Sequence, residues 1–155
     1  FTAEQAGAKF TGGWQRFNAA INFDEENLAN SRAVVTIDAT SVATKDSERD
    51  ATLAGADWFD TANFSDVVFT TKAFETVKSD SLKEFTADAR LNIRGTDYPI
   101  DFVFSVQREG NKRTLSGKAT LDRLALNLGT VEWADPQWVG QFVEVSVKVI
   151  ARVPR

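Results

Sequence analysis

Pairs of carboxylates are the residues of this sequence whose type and spacing come nearest to a catalytic pattern. The chain has 155 residues, and 22 of them are Asp or Glu. A glycosidase needs two carboxyl groups about 5 to 10 Å apart across a groove. The candidate pairs are Asp57 and Asp60, Asp97 and Asp101, and Glu132 and Asp135. We interpret them as solvated surface groups, and a carboxylate hydrolase is kept as an alternative.

The absence of Cys and His removes most other catalytic chemistry. Because the sequence has neither residue, it offers no nucleophile paired with an imidazole, no thiolate or imidazole zinc ligand and no ordinary haem ligand. The acidic runs at residues 24–26 and 46–48 lack the loop pattern of a calcium site. We therefore expect no required cofactor, no metal site and no enzymatic activity.

The charge pattern argues against nucleic acid as a partner. The net charge is −4, from 18 Lys and Arg against 22 Asp and Glu, and the two signs are interspersed along the chain without forming a basic stripe. No apolar run approaches the roughly 18 residues of a membrane-spanning helix. We expect neither nucleic-acid binding nor a membrane-spanning segment.

Three arginines lie beside acids or at the ends of apolar runs, namely Arg49, Arg94 and Arg123. An arginine that is taken out of water needs a partner such as a carboxylate that it can bind bidentately. The expected role is therefore structural pairing with a nearby Asp. The alternative is that these arginines bind the polar head group of a ligand at the mouth of a cavity.

Alternation of apolar and polar residues predicts the strands that position these groups. From Phe85 to Arg94 every odd residue is apolar and every even residue is polar, which a helix could not place on one face. Similar alternation covers residues 100–106, 115–121 and 143–151. Shorter strands are predicted at residues 8–10, 19–23, 32–38 and 67–77, together with one helix at 46–58 that Asp46 or Ser47 caps.

The pattern therefore predicts an all-β, antiparallel protein of roughly eight strands. Closing such a sheet into a barrel hides its edges and leaves room for one small ligand. A two-sheet sandwich would fit the same periodicity.

Small residues on the predicted inward face indicate empty space. They are Ala87 and Ala89 in one strand and Gly117 and Ala119 in another. The excess of 12 Phe over a single Tyr favours an apolar guest or a dry core, since Phe offers area without a hydrogen bond. The competing interpretation is that large neighbours such as Phe102 and Phe104 fill the gap.

Tryptophans supply a third possibility, a carbohydrate-binding or adhesion module. Such a module presents exposed, coplanar indole rings. The candidates for this platform are Trp14, Trp58, Trp133 and Trp138.

Several segments resemble the YceI-like polyisoprenoid-binding family, in the same order and over nearly the whole chain. They are residues 12–24 (GGWQRFNAAINFD), 35–44 (VTIDATSVAT), 48–50 (ERD), 56–60 (ADWFD), 91–96 (LNIRGT), 121–129 (LDRLALNLG), 132–135 (EWAD) and 138–140 (WVG). The resemblance implies a lipocalin-like barrel with one short helical insert, in a single domain over residues 1–155. Its first strand would be only half present, because Phe1 corresponds to the last apolar position of the family's opening strand.

The resemblance also implies a function without catalysis: binding of a long isoprenoid, such as ubiquinone or a polyprenyl phosphate, for transport, storage or presentation. Family members are usually periplasmic or secreted, and some are homodimers or are attached to other domains. The chain has no Met, which favours an N-terminus that has been removed. Because each arginine lies near an Asp, we expect a neutral guest such as a quinone.

The inward phase of the strands then nominates the side chains that contact the ligand. Those nominated for the wall are Phe85, Ala87, Ala89, Leu91, Ile100, Phe102, Phe104, Leu115, Gly117, Ala119, Leu121, Val145 and Val147. Those nominated nearer the ends are Phe10, Phe69 and Trp58, and two further candidates for ligand contact are Trp14 and Phe17.

Overall fold

Most of the chain runs as antiparallel strands, as the alternating pattern predicts. The structure is a computed structural model that describes residues 1–78 and 83–152. The strands are β1 (Thr2–Gln5), β2 (Ala8–Thr11), β3 (Gly13–Trp14), β4 (Phe17–Asn22), β5 (Arg32–Asp38), β6 (Val42–Ala43), β7 (Asp66–Lys78), β8 (Lys83–Ile93), β9 (Thr96–Glu109), β10 (Lys112–Asp122) and β11 (Phe142–Arg152). The helix α1 spans Ser47–Ala54, and single 3-10 turns lie at Leu28–Asn30 and Ala39–Ser41.

Nine of these strands form one sheet in the order β2-β1-β11-β10-β9-β8-β7-β5-β4, and β3 pairs with β6 in a second, small sheet. The large sheet curls around its apolar face into an open half-barrel. Among the described residues β2 and β4 are its two edges, and they do not pair with each other. The predicted fold class, an all-β, antiparallel, lipocalin-like barrel of roughly eight strands with one short helical insert, is confirmed, with nine strands in the curled sheet and the barrel not closed among the described residues.

Strand β8 shows why the alternation was informative. Its odd residues Phe85, Ala87, Ala89, Leu91 and Ile93 are all buried. The strand turns into β9 through Arg94 and Gly95, whose φ angles of 50° and 76° fit the tight two-residue turn that the twist of a hairpin favours. Strand β5 has the predicted bounds.

The helix is shorter than predicted. Asp46 caps it, because its side chain accepts hydrogen bonds from the backbone N–H groups of Glu48 and Arg49. The helix ends at Ala54, and Gly55 follows in an extended conformation with its N–H bonded to Thr52 O. Trp58 therefore lies in the turn after the helix. In the described ranges no helix is long and apolar enough to cross a membrane.

The buried side chains form two clusters toward opposite ends of β8. The helix-side cluster includes Leu53, Trp58, Phe59, Leu91 and Ile93. The second cluster contains Phe85, Ala87, Phe104 and Val106, with Phe23, Leu28, Phe74, Phe102 and Leu115 packed against it. A cavity lies between them, because its walls contain members of both clusters.

Candidate functional site

The inward side chains of the curled sheet surround a cavity of about 160 Å³ that is partly open to solvent. The walls come from β4, β5 and β7 to β11 together with Phe23, and among the described residues every lining side chain except Thr71 is apolar. The cavity is therefore suited to an apolar guest.

Thr71 does not change this character, because its hydroxyl is already engaged. Thr71 Oγ1 accepts a hydrogen bond from the Ala33 N–H at 2.8 Å and donates to Ala33 O at 3.3 Å. A polar guest in this space would lose hydrogen bonds to water without replacement, at a cost of about 1 to 3 kcal/mol for each group.

Most of the side chains nominated from the sequence line this cavity. They are Phe69, Ala87, Leu91, Ile100, Phe102, Phe104, Leu115, Gly117, Ala119, Leu121, Val145 and Val147. Their part in ligand binding stays a prediction.

The other nominated side chains do not line it, and the phase argument was too coarse for them. Phe10 and Trp58 lie in a separate pocket beside α1. Trp14 packs with its ring centre 5.0 Å from that of Phe1 and 5.9 Å from that of Phe59. The remaining three are Phe85 and Ala89, which are buried away from the cavity, and Phe17, which has the inward orientation but is 63% exposed at the edge strand β4.

The small residues of the walls have two different roles. Ala87 and Ala119 border the empty space, as expected. Gly117, although it also lines the cavity, makes room for a ring. A Cβ there would lie 2.8 Å from Phe102 Cε1 and 2.9 Å from Phe104 Cβ. At Gly117 the competing interpretation, in which phenylalanines fill the gap, describes the packing.

Sequence reasoning missed several lining residues: Ile21, Phe23, Ala33, Val35, Ile37, Thr71, Phe74 and Val149. The phase of Val149 and of β5 was readable from the alternation. Phe74 was not, because a register shift between Thr71 and Ala73 in β7 turns the inward face from odd to even residues. Phe23 lies one residue beyond the end of β4, although the predicted strand at residues 19–23 gave it the same phase as Ile21.

The cavity opens along the gap between β4 and the unpaired part of β11, which we call the seam. Ile21 on β4 and Val147 on β11 are 37% and 42% exposed although both line the cavity. Strand β1 pairs with β11 at Thr2 and Glu144, so the part of β11 beyond Glu144 has no partner on that side among the described residues. A guest can reach the cavity walls through this seam.

Residues 23–31, which we call the strap, connect β4 to β5 across the end of the barrel away from α1. Ser31 Oγ accepts from the Asp24 N–H at 2.9 Å and donates to Asn27 O at 3.0 Å. Phe23 packs its ring edge-to-face on Phe74, Phe85 and Phe104, with ring centres 5.2, 5.2 and 5.4 Å away. These four rings are called the aromatic floor.

Glu25 fastens the strap to the sheet. Its carboxylate, whose side chain is only 7% exposed, lies 2.6 Å from Arg108 Nη2 on β9 and 3.0 Å from Lys83 Nζ on β8. Burial by itself raises the pKa of Glu25, but the hydrogen bonds and positive charges of Arg108 and Lys83 outweigh burial and hold that pKa below its usual value.

Acid should therefore weaken the strap. Because the pKa of Glu25 is lowered by folding, its stabilisation is complete above the unfolded value of 4.5 and is lost as the pH falls through the folded pKa. We expect Glu25→Gln to cost about 1.5 to 3 kcal/mol at pH 7, and the difference from the wild type to shrink toward about pH 2. Urea titrations across this range measure it.

The comparison with the wild type controls for other groups that titrate in acid. The pKa of Asp38 is also lowered, but Asp38 is present in both proteins, so its contribution cancels in the difference. A difference in unfolding free energy between wild type and Glu25→Gln that stays constant with pH would contradict the assignment.

Arg123 is the most deeply buried charged residue of the part of the chain that the structure describes, at 1% exposure. Its guanidinium donates five hydrogen bonds to backbone carbonyls of the loop between β10 and β11: Gly140 at 2.8 Å, Leu128 at 3.0 Å, Gly129 at 3.1 Å, Trp133 at 2.6 Å and Val139 at 2.8 Å. Burial lowers the pKa of Arg123, while the charges of Asp57 and Asp122 oppose that effect.

The other two arginines are engaged in a similar way. Arg94 donates to Ala56 O at 2.7 Å and to Asn127 O at 2.8 Å. Arg49 stacks 3.8 Å above the centre of the Phe10 ring and donates to Thr44 Oγ1 at 3.0 Å. The predicted structural role matches these contacts, but the expected Asp partners are replaced by carbonyl and hydroxyl oxygens.

The carboxylates named as hydrolase candidates lie outside the cavity wall. Asp57 accepts from the backbone N–H groups of Val131 and Glu132, both at 3.1 Å, and Asp97 accepts from Asn92 Nδ2 at 2.8 Å. Over residues 1–78 and 83–152 no three acidic, His or Cys side chains gather as a metal site. Of the four tryptophans only Trp138 is strongly exposed, so they do not form one platform.

A known protein family matches nearly the whole chain. The family model described as YceI-like domain matches residues 1–151. Protein YceI of Escherichia coli O157:H7 is 38% identical over 101 residues, which are 64% of this chain and 50% of that protein. The chain thus spans about half the length of the curated YceI proteins that it matches.

Solved structures share the fold. The crystal structure of Burkholderia cenocepacia BcnA superposes with a TM-score of 0.89 at 26% identity, over 97% of this chain and 92% of that one. A polyisoprenoid binding domain from Saccharophagus degradans, implicated in plant cell wall breakdown, superposes with a TM-score of 0.70 at 16% identity, over 99% of this chain and 91% of that domain.

Proposed function

This chain belongs to the YceI-like domain family, and on that premise we propose that it binds a long isoprenoid in its cavity without catalysing a reaction. The observation that carries the proposal is the wall itself, in which the single polar side chain, Thr71, already has its hydrogen bonds. The name of the S. degradans domain supports an isoprenoid over other apolar guests.

The energy of burial is sufficient for a cavity of this kind. Each methylene-sized group that leaves water contributes about 0.8 kcal/mol, so a stretch of ten carbons gives roughly 8 kcal/mol before the cost of ordering the chain. The wall needs no specific polar contact to hold such a tail.

The proposed role is transport, storage or presentation of the lipid in the periplasm or outside the cell. A tail that does not dissolve in water needs a carrier in such a compartment. If the guest is a quinone such as ubiquinone, its redox chemistry belongs to its own ring, and the protein supplies a dry environment.

The head group is proposed to be neutral. The arginines that could hold a pyrophosphate, Arg49, Arg94 and Arg123, already donate to oxygens of the protein. A charged head group would have to displace these contacts. The tail, rather than the head, is then the part that the protein recognises.

Two measurements test this proposal. Native mass spectrometry and organic extraction of freshly purified protein are expected to release a lipid of isoprenoid mass. Ubiquinone and a polyprenyl pyrophosphate with equal tails are expected to bind with Kd values within about tenfold of each other, or ~1.4 kcal/mol.

A strong preference for pyrophosphate that disappears with salt and in Arg49→Gln would contradict the neutral guest. Arg16→Gln is a suitable control for the loss of a surface charge, because Arg16 pairs with Asp38 at the surface and does not line the cavity.

A further inference from the structure

The aromatic floor closes one end of the cavity with rings that have little freedom to move. Phe23, Phe74 and Phe104 line the cavity, and Phe85 lies behind them at 1% exposure. The rings of Phe85 and Phe104 stack at 5.6 Å. Because Phe23 touches the other three rings, it cannot turn aside without breaking the whole cluster.

The backbone that carries Phe23 is also fixed. Phe23 begins the strap, and Glu25 two residues later is held by Arg108 and Lys83. Leu28 of the same strap packs against the cluster from outside the cavity. The aromatic floor is therefore rigid and should not move aside for the end of a bound tail.

The floor end of the cavity is apolar, because the floor residues that line it, Phe23, Phe74 and Phe104, carry no polar side-chain atom. The floor presents only phenylalanine rings to the cavity. The tip of an isoprenoid tail carries no polar group and matches the floor.

From this geometry we infer that the aromatic floor sets the number of isoprene units that the cavity accepts. The inference rests on the proposed function and adds a specificity to it, with Phe23 and Ala87 as the residues that determine length. A tail that reaches the floor has its tip against the phenylalanine rings, and any further unit has to stay toward the open seam of the cavity.

The consequence is that affinity should rise with the number of isoprene units in the tail only up to a certain length, which we call the break. Each added isoprene unit strengthens binding until the tip touches the floor, and later units add nothing. A benzyl side chain and an isoprene unit are of comparable size, so removal of the Phe23 ring moves the break by one unit. Ala87 lines the cavity within the cluster that contains the floor, and a ring there moves the break in the opposite direction.

The test uses a series of all-trans prenols that differ by one isoprene unit, titrated against the protein with Trp fluorescence as the readout. The break is expected one unit later in Phe23→Ala and one unit earlier in Ala87→Phe than in the wild type. Phe142→Ala, which removes an exposed ring on the outer face, is expected to leave the break unchanged. Phe23→Leu is a second variant that disturbs packing less, and circular dichroism checks that each variant is folded.

The outcomes separate the two proposals. If Phe23→Ala and Ala87→Phe both bind tightly and their affinity stops rising at the same tail length as in the wild type, the aromatic floor does not set the length. Isoprenoid binding itself would be unaffected by this result. Failure of the wild type to bind any prenol of the series would overturn the proposed function, and with it the inference that the aromatic floor sets the tail length.

Discussion

Replacing Ala119 with phenylalanine is expected to abolish retention of isoprenoid by a folded protein. Ala119 lies in β10 with its methyl group on the cavity wall, so a benzyl side chain would occupy the space that the tail needs. We expect affinity to fall at least about 100-fold, or ~2.7 kcal/mol. The ring enters existing space, so stability should change by no more than about 1 to 3 kcal/mol. Prenol titration and urea unfolding measure the two effects.

Thr120→Phe is the matched control. It adds the same ring one residue later, on the outward and exposed face of the same strand, and should leave binding unchanged. Retention of isoprenoid by Ala119→Phe at wild-type affinity would mean that the tail follows another path.

Loss of Arg123 is expected to have the largest effect on stability. In Arg123→Met five backbone carbonyls lose a buried donor, and an unsatisfied buried acceptor costs about 1 to 3 kcal/mol. Some carbonyls will reach water when the loop relaxes. We expect a loss of about 4 kcal/mol or more, a large share of the 5 to 15 kcal/mol that stabilises a typical domain.

Urea titration followed by circular dichroism checks this value. Arg16→Met is the control, because Arg16 pairs with Asp38 at the surface at 2.9 Å and exposed ion pairs contribute little to stability. Arg123→Lys should recover only part of the loss, since an ammonium has fewer donors and no planar fork. Equal losses in Arg123→Met and Arg16→Met would contradict the role assigned to Arg123.

Much of the sheet could be predicted because a strand repeats every two residues. The alternation at residues 85–94 placed Ala87 and Leu91 on the cavity wall, and Arg32–Asp38 was predicted with its observed bounds. Where a strand is regular, composition and phase together determine which face is buried.

Alternation gives the inward face of a strand but not which inward side chains reach empty space, since Phe85 and Ala89 of the same strand do not line the cavity. Phe74 was missed because it reaches the cavity through a register shift in β7, which leaves no periodic pattern in the sequence. The partners of Arg123 were missed for a related reason. They are carbonyl oxygens of a loop without repeating structure, and every residue carries a carbonyl, so residue types give no sign of which ones converge.

The open seam between β4 and β11 has a mechanical consequence. In a closed barrel the number of strands and their stagger fix the circumference. Here the outer edge of β4 pairs with no strand among the described residues, so the girth of the half-barrel can change by bending the sheet, without breaking a ladder hydrogen bond. A bulkier chain would be admitted by widening this gap, so the protein can be tolerant of a guest's thickness while it remains strict about its length.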